Sequence, residues 1–337
     1  MNFAALKSGV LVATLSSVAF AQTTIRTTTT LVVVPTLVQT PGKELVFSLK
    51  ADDFILTDNG VPQKVTLEEE TNRPLSLVVL MQTGGAARGQ FESYANLDTM
   101  FAGILGKAPN KVSIVNFDSR VEAASPFTSD IAEWRDAINH PEEGDHGAAI
   151  LDSISYGLDL LKQEPQGNRR AILLISQEHD SGSKTQLKDI VRAVGETNTA
   201  IYSITFSAEK TAFKQAFKDP PHLNPPMDFG AGPFQGYFNL SAPLSLAIGA
   251  MRKNLSAEIA NLSGGESSSF DGRSQLDEDL GVLTNHIRNS YILSFYPTST
   301  EPGLHTIKVR LAHHSELLVS ARSNYWAVDS STTEIQH

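Results

Sequence analysis

Arg73-Pro74-Leu75-Ser76-Leu77-Val78-Val79-Leu80-Met81-Gln82-Thr83-Gly84-Gly85-Ala86 decides the fold of this chain. Positions 75–81 are apolar except for Ser76. A strand with one wet face alternates apolar and polar residues. A strand covered on both faces does not, so this run predicts a buried parallel strand. Gly84-Gly85 then ends it in a turn. The runs 111–117, 171–175 and 200–206 read the same way. Helical spacings lie between and after them. Ile150, Ile154, Leu158 and Leu161 step by four, four and three; Leu187, Ile190, Val191 and Val194 follow Ser183 and Gln186, a capping-box pattern. Further helices are predicted over 91–105 and 130–138, at Leu255, Ile259 and Leu262 before the Gly264-Gly265 stop, and at Leu276, Leu280, Leu283 and Ile287. Strands alternating with helices define an α/β fold, a Rossmann-like and mostly parallel sheet flanked by helices. The stretch 121–127 is predicted as an edge strand, and Trp134 as a core residue.

Both ends of the chain are β-rich. Leu31-Val32-Val33-Val34 is a strand signal, Pro41-Gly42 a turn, and Asp58-Asn59-Gly60 a short hairpin signature. Near the other end Tyr291, Leu293 and Phe295 alternate, as do Ile307, Val309 and Leu311. Neither group has enough strands to bury a core alone, so the two are expected to pair as one small accessory β layer, with Tyr325 and Trp326 packed in it. The predicted organisation is therefore a β segment over 22–72, the α/β domain over 73–289, a second β segment over 290–328 and a frayed polar tail over 329–337. Residues 208–243 contain Pro220-Pro221, Pro225-Pro226 and Pro233 and read as a long surface insertion.

Of 337 residues, 41% are hydrophobic and 19% charged, which suits a globular chain with a large core. The net charge is −10. Phosphate binding needs clustered Lys and Arg, and no such cluster is present, so nucleic acid is excluded as a partner. Residues 1–21 read as a signal peptide. Lys7 precedes an apolar stretch over 9–18, and Ala19-Phe20-Ala21 predicts cleavage between Ala21 and Gln22. That stretch is too short to span a bilayer, and no later one is longer, so no transmembrane segment is expected. The chain is expected to be secreted or periplasmic. There is no cysteine, which excludes disulfides, thiolate catalysis and Cys-ligated zinc.

Several segments, in order, resemble the von Willebrand factor type A (VWFA)-related proteins of the acidobacterial type. The stretch 73–86 resembles the first strand and loop of a type A domain. Positions 54–64 are similar to their DF-x-(V/L)-x-(E/D)-(D/N)-G-x-P-Q segment, and Gly147-Ala148-Ala149-Ile150-Leu151-Asp152-Ser153-Ile154 to GTALYDAI. Positions 255–265 resemble L-x-x-(L/I)-A-x-x-(T/S)-GG. Tyr291-Ile292-Leu293-Ser294-Phe295-Tyr296-Pro297 resembles Y-x-L-x-Y-x-P, and Arg322-Ser323-Asn324-Tyr325 resembles R-x-G-Y with Asn324 for the glycine. The resemblance spans nearly the whole mature chain. It implies a VWA-like sheet with loops at its C-terminal edge, where a metal-ion-dependent adhesion site holds a divalent cation through D-x-S-x-S, a threonine and a later aspartate. It also implies a protein partner.

The residues at those positions depart from the pattern. Gln82 stands for the first aspartate, Gly84 and Ala86 for the serines, Ala148 for the threonine and Gln177 for the later aspartate. A hard cation needs anionic oxygen ligands. The site is therefore read as degenerate, with no metal and no cofactor. Thr83, Asp145, His146, Glu178, His179 and Asp180 fall in the same loops and form a candidate partner-contact rim. Three functions stay open: a non-enzymatic protein-interaction or adhesion-type module that needs no metal, a structural scaffold without a ligand at these loops, or a hydrolase or metal-binding protein using Asp145, His146, His179 and Asp180. Against the last, no H-E-x-x-H, P-loop, G-x-G-x-x-G or G-x-S-x-G spacing occurs, and no catalytic residue is assigned. Glu142-Glu143, Glu68-Glu69-Glu70 and His313-His314 are read as solvated surface.

Overall fold

A computed structural model describes residues 31–68, 73–94, 97–105, 109–165, 167–211, 254–299 and 301–327. The predicted signal peptide, most of the 208–243 insertion and the 329–337 tail lie outside these residues.

The elements run β1 (Val32–Gln39), β2 (Phe54–Asp58), β3 (Val61–Gln63), β4 (Thr66–Glu68), β5 (Leu75–Gln82), α1 (Phe91–Tyr94), α2 (Leu97–Leu105), β6 (Lys111–Phe117), α3 (Arg135–Asn139) and α4 (Ile150–Gln163). They continue with β7 (Arg169–Gln177), α5 (Leu187–Thr197), β8 (Ala200–Phe206), α6 (Leu255–Ser263), β9 (Ser267–Ser269), α7 (Arg273–Asn289), β10 (Tyr291–Phe295), β11 (Gly303–Leu311), β12 (Leu318–Ala321) and β13 (Asn324–Ala327).

Among the described residues, five strands form a wholly parallel sheet in the order β6-β5-β7-β8-β9. Every residue of β5 is buried. The reason is visible in the two cores. Leu75, Leu77, Val79 and Met81 face one way, against α1, α2, α3 and α7. Val78 and Leu80 face the other way, against α4, α5 and α6. With a helical layer on each face, no position of the strand meets water. Trp134 is in the first core, edge-on to Phe101.

The accessory β part is larger than the single layer expected from sequence. It forms two four-stranded sheets, ordered β12-β1-β10-β4 and β13-β11-β2-β3. Val34, Leu293 and Phe295 from the first meet Leu56, Ile307 and Tyr325 from the second in one shared core. The chain ends do interleave: β1 pairs with β10 and β12, and β2 with β11. The Asp58-Asn59-Gly60 hairpin forms as read, with Asn59 at φ 47° and Gly60 at φ 84°, the conformations that this turn requires.

Two local expectations differ. The stretch 121–127 follows the edge of β6 without forming a regular strand: Val121 bridges Phe117, and Glu122 N and Ser125 N donate to the Asn116 and Ile114 carbonyls at 3.0 and 2.9 Å. Ser125 occupies the edge instead, its hydroxyl accepting from Ile114 N at 2.8 Å. The Ser183–Gln186 capping box is absent. Gln186 is the N-cap of α5 without a side-chain cap. The Ser183 hydroxyl turns to Asp180, 2.5 Å away, a longer-range partner that a local pattern cannot reveal.

The sandwich and the α/β part meet through Arg322, which is 2% exposed. Its guanidinium donates to the carbonyls of Asn324 (2.7 Å) and Val33 (3.2 Å) in the sandwich. It also donates to Asn198 Oδ1 (3.1 Å) and to the carbonyls of Val194 and Gly195 (3.4 Å each) at the C-terminal end of α5. A cation there meets the negative end of the helix dipole. Burial pushes the Arg322 pKa down to about 10. Gly195 permits the approach, since a Cβ there would lie 2.6 Å from the Trp326 nitrogen. No described helix is long and apolar enough to cross a membrane.

Candidate functional site

The loops after β5, β6 and β7 lie at the C-terminal edge of the sheet, where open α/β sheets place ligands. Gln82 and Gln177 end two adjacent strands, so their side chains meet. Gln82 is fully buried. Its Nε2 donates to Gln177 Oε1 at 3.0 Å and to the Gly84 carbonyl at 2.9 Å. Its Oε1 accepts from the Gln177 backbone N–H at 2.8 Å. Gln177 Nε2 donates to the His179 carbonyl at 2.8 Å. The two amides therefore satisfy each other and the adjoining backbone.

Gly84 and Gly85 lie against this pair. A Cβ at Gly84 would be 2.5 Å from both Asp118 Cβ and the Gly147 carbonyl, so no serine fits there without movement. Gly85 has φ 57°, and a Cβ on it would press on both amides at 3.2 and 3.3 Å. Ala86 packs on the core below. Ala148 is fully buried and pairs with Ser181 through both backbone groups at 2.9 Å. A hard divalent cation needs several oxygen ligands and charge balance. The groups at these five positions are paired neutral amides, one glycine without side-chain room and two methyls. They do not fit such an ion.

Of the rim residues, Thr83 is turned inward. It is 1% exposed, and its N–H and hydroxyl both donate to the Phe117 carbonyl. It therefore offers no surface to a partner. Asp145 is exposed but fully used. It accepts from Ser119 N at 3.0 Å, from Gly147 N at 2.8 Å and from the Ser119 hydroxyl. The Ser119 hydroxyl, then the Gly147 N–H, hold its carboxyl below the usual carboxylate range. Asp180 belongs to a different set. It accepts from Leu151 N at 3.0 Å, in the first turn of α4, and from Ser183. His146 and His179 are exposed and Glu178 half-buried; the Glu178 carbonyl accepts from Leu255 N at 2.9 Å. Asp145 and Asp180 thus serve separate backbone networks. Among the described residues, no three His, Asp or Glu side chains are placed to hold one metal ion.

Several loop-fixing residues escape a sequence reading. Asp118 follows β6 and accepts from Asp145 N at 3.0 Å and Arg120 N at 2.8 Å, while its carbonyl accepts from Ala149 N at 2.7 Å. Gly144 and Gly147 sit against Asp118 and Ser119 with no space for a side chain. Asp152, in the first turn of α4, accepts from Lys184 N and Thr185 N. Burial alone would raise its pKa, but these N–H groups and the Thr185 hydroxyl bring it below the usual value. The glycines flanking Asp145-His146 were the available signal; the partners they admit are distant in sequence.

Replacing Gln82 by alanine takes the partner from the Gln177 N–H and from its Oε1 at a half-buried position. The expected loss is about 1–3 kcal/mol, read by urea unfolding. A loss under about 0.5 kcal/mol, the range of a neutral surface change, would mean that the amide pair holds nothing.

No family model matches the sequence, and no curated protein matches it. Among solved structures, the chain is similar to the conserved hypothetical protein BatB from Bacteroides thetaiotaomicron, with 12% identity, a TM-score of 0.39, and coverage of 63% of this chain and 97% of that one. An aerotolerance-related membrane protein from Bacteroides fragilis gives 15% identity and a TM-score of 0.37, covering 64% and 99%. The SpRpn10 VWA domain gives 16% identity and a TM-score of 0.32, covering 42% and 81%. The parallel sheet between two helical layers, with its loops gathered at one edge, is a Rossmann-like α/β fold.

Proposed function

We propose that this chain is an exported, non-enzymatic protein-interaction module whose VWA-like loops work without a metal ion. One observation carries the reading: Gln82 and Gln177 pair with each other where the resembled family would place two carboxylate ligands. A cation would have to break that pair and would gain no anionic charge in return. What remains for recognition is a rigid surface. The loops are cross-linked by Asp118, Asp145, Asp152 and Asp180, so their shape is set before a partner arrives, which lowers the ordering cost of binding. His146 and His179 are the exposed rim side chains free to meet a partner.

Export is supported by the order Lys7, apolar stretch, Ala19-Phe20-Ala21. The hydrolase alternative is disfavoured because Asp145 and Asp180 are bound in separate networks, with neither placed as a base for the other's histidine neighbour. The test is affinity recovery from a native envelope extract, with and without EDTA. The same partner should appear in equal yield in both, and His146→Ala with His179→Ala should reduce it at least severalfold. Recovery that EDTA abolishes and Mg²⁺ restores would overturn the reading.

A further inference from the structure

The opposite edge of the parallel sheet carries a cavity of about 380 Å³, between the starts of β5, β7 and β8 and the sandwich strands β1 and β10. This is within the size range of small-ligand sites, roughly 300–1,000 Å³, and module junctions are where such sites concentrate. Its wall has two characters. Leu75, Tyr202 and Ile292 supply an apolar surface, while Arg73, Arg169 and Arg170 bring three guanidinium groups to the same space.

Of the described acids on the wall, Glu68 offsets one of these cations and Glu196 is taken up elsewhere. Glu68 is engaged by Arg73, and Glu196 accepts from Arg192 at 2.7 Å. Arg169 reaches the Ile287 carbonyl, and Arg170 Nη2 donates to the Glu164 carbonyl at 2.9 Å. The Glu164 carbonyl is neutral, so that bond leaves the positive charge of the Arg170 guanidinium in place. Planar guanidinium groups fit carboxylates in particular, through paired N–H donors.

We infer that this cavity binds a small organic anion, a carboxylate carried on an apolar body. The carboxylate lies at Arg170 and the apolar body against Leu75, Tyr202 and Ile292. The site is separate from the upper loops and does not depend on the function proposed for them.

The test uses the full mature chain and three probes of one shape, 4-phenylbutyrate, 4-phenylbutanol and 4-phenylbutylamine, followed by calorimetry and by amide and methyl NMR shifts. Saturable one-to-one binding of 4-phenylbutyrate is expected, with shifts at Leu75 and Ile292. The alcohol should bind about tenfold or more weakly, the value of one charge-assisted hydrogen bond, and the amine not at all. Arg170→Met should weaken the acid about tenfold, and Ala200→Leu, which fills the cavity, should abolish its binding. Equal binding of all three probes, shifts mapping elsewhere, or no saturable binding of the acid would overturn the assignment. Should either variant fail to fold by circular dichroism, the contrast among probes on the unmodified chain still decides it.

Discussion

Arg322→Ala is expected to cost about 3–5 kcal/mol, a large share of the roughly 5–15 kcal/mol that holds a typical domain together. Two effects add. Truncation leaves a void where a long, fully enclosed side chain stood. It also strips hydrogen bonds from the carbonyls of Val33, Val194, Gly195 and Asn324, which burial keeps from water. These acceptors belong to both the sandwich and α5, so the loss falls on the joint between them. Arg322→Lys should restore little, because an ammonium group is a point donor and cannot span five acceptors. Urea unfolding followed by tryptophan fluorescence checks this, since Trp326 lies at the joint and Trp134 in the α/β core. A loss under about 1 kcal/mol would contradict it, as that is the effect of an ordinary substitution.

The second large effect is expected within the sandwich. Asp58 and His305 are each 2% exposed, and Tyr325 is 4% exposed. His305 Nδ1 donates to Asp58 Oδ1 at 2.8 Å, and the Tyr325 hydroxyl donates to Asp58 Oδ2 at 2.8 Å. His305 Nε2 lies 2.8 Å from the Glu301 carbonyl. Burial, then the bond to Asp58, raises the Tyr325 pKa, so the phenol stays protonated and able to donate. Asp58→Ala removes the buried carboxylate that the two groups share and leaves them only each other, 2.9 Å apart, at an expected cost of about 3–5 kcal/mol. His305→Ala and Asp58→Ala together should cost clearly less than the sum of the two alone, because they share one network. A double-mutant cycle by denaturant unfolding measures this. Simple additivity would mean that the three side chains are merely neighbours.

The fold was largely legible because it rests on features that short stretches of sequence display. The run of β5, apolar from Leu77 to Met81, predicts two covered faces, and both are covered. Asp58-Asn59-Gly60 predicts a hairpin with positive φ, and Gly264 ends α6 at φ 86°. What stayed hidden depends on partners far apart in the chain. Ser183 resembles a helix cap until Asp180 and Asp152 are brought beside it. Thr83 resembles a rim residue until the Phe117 carbonyl takes up its N–H and hydroxyl. Neither Arg322 nor Asp58 announces its role, because their partners are 124 and 247 positions away. The altered positions of the candidate site, Gln82, Gly84, Ala86, Ala148 and Gln177, could be read individually. That two of them would bond to each other could not, since that requires β5 and β7 to be neighbours in register.

Cation titration of the intact chain decides whether the upper loops work without a metal ion, as proposed. Mg²⁺, Mn²⁺ and Ca²⁺ are added in turn while heat is measured and the side-chain amide signals of Gln82 and Gln177 are followed by NMR. No saturable binding up to millimolar cation and no movement of either amide signal are expected. Stoichiometric binding that shifts both signals together would contradict the proposal.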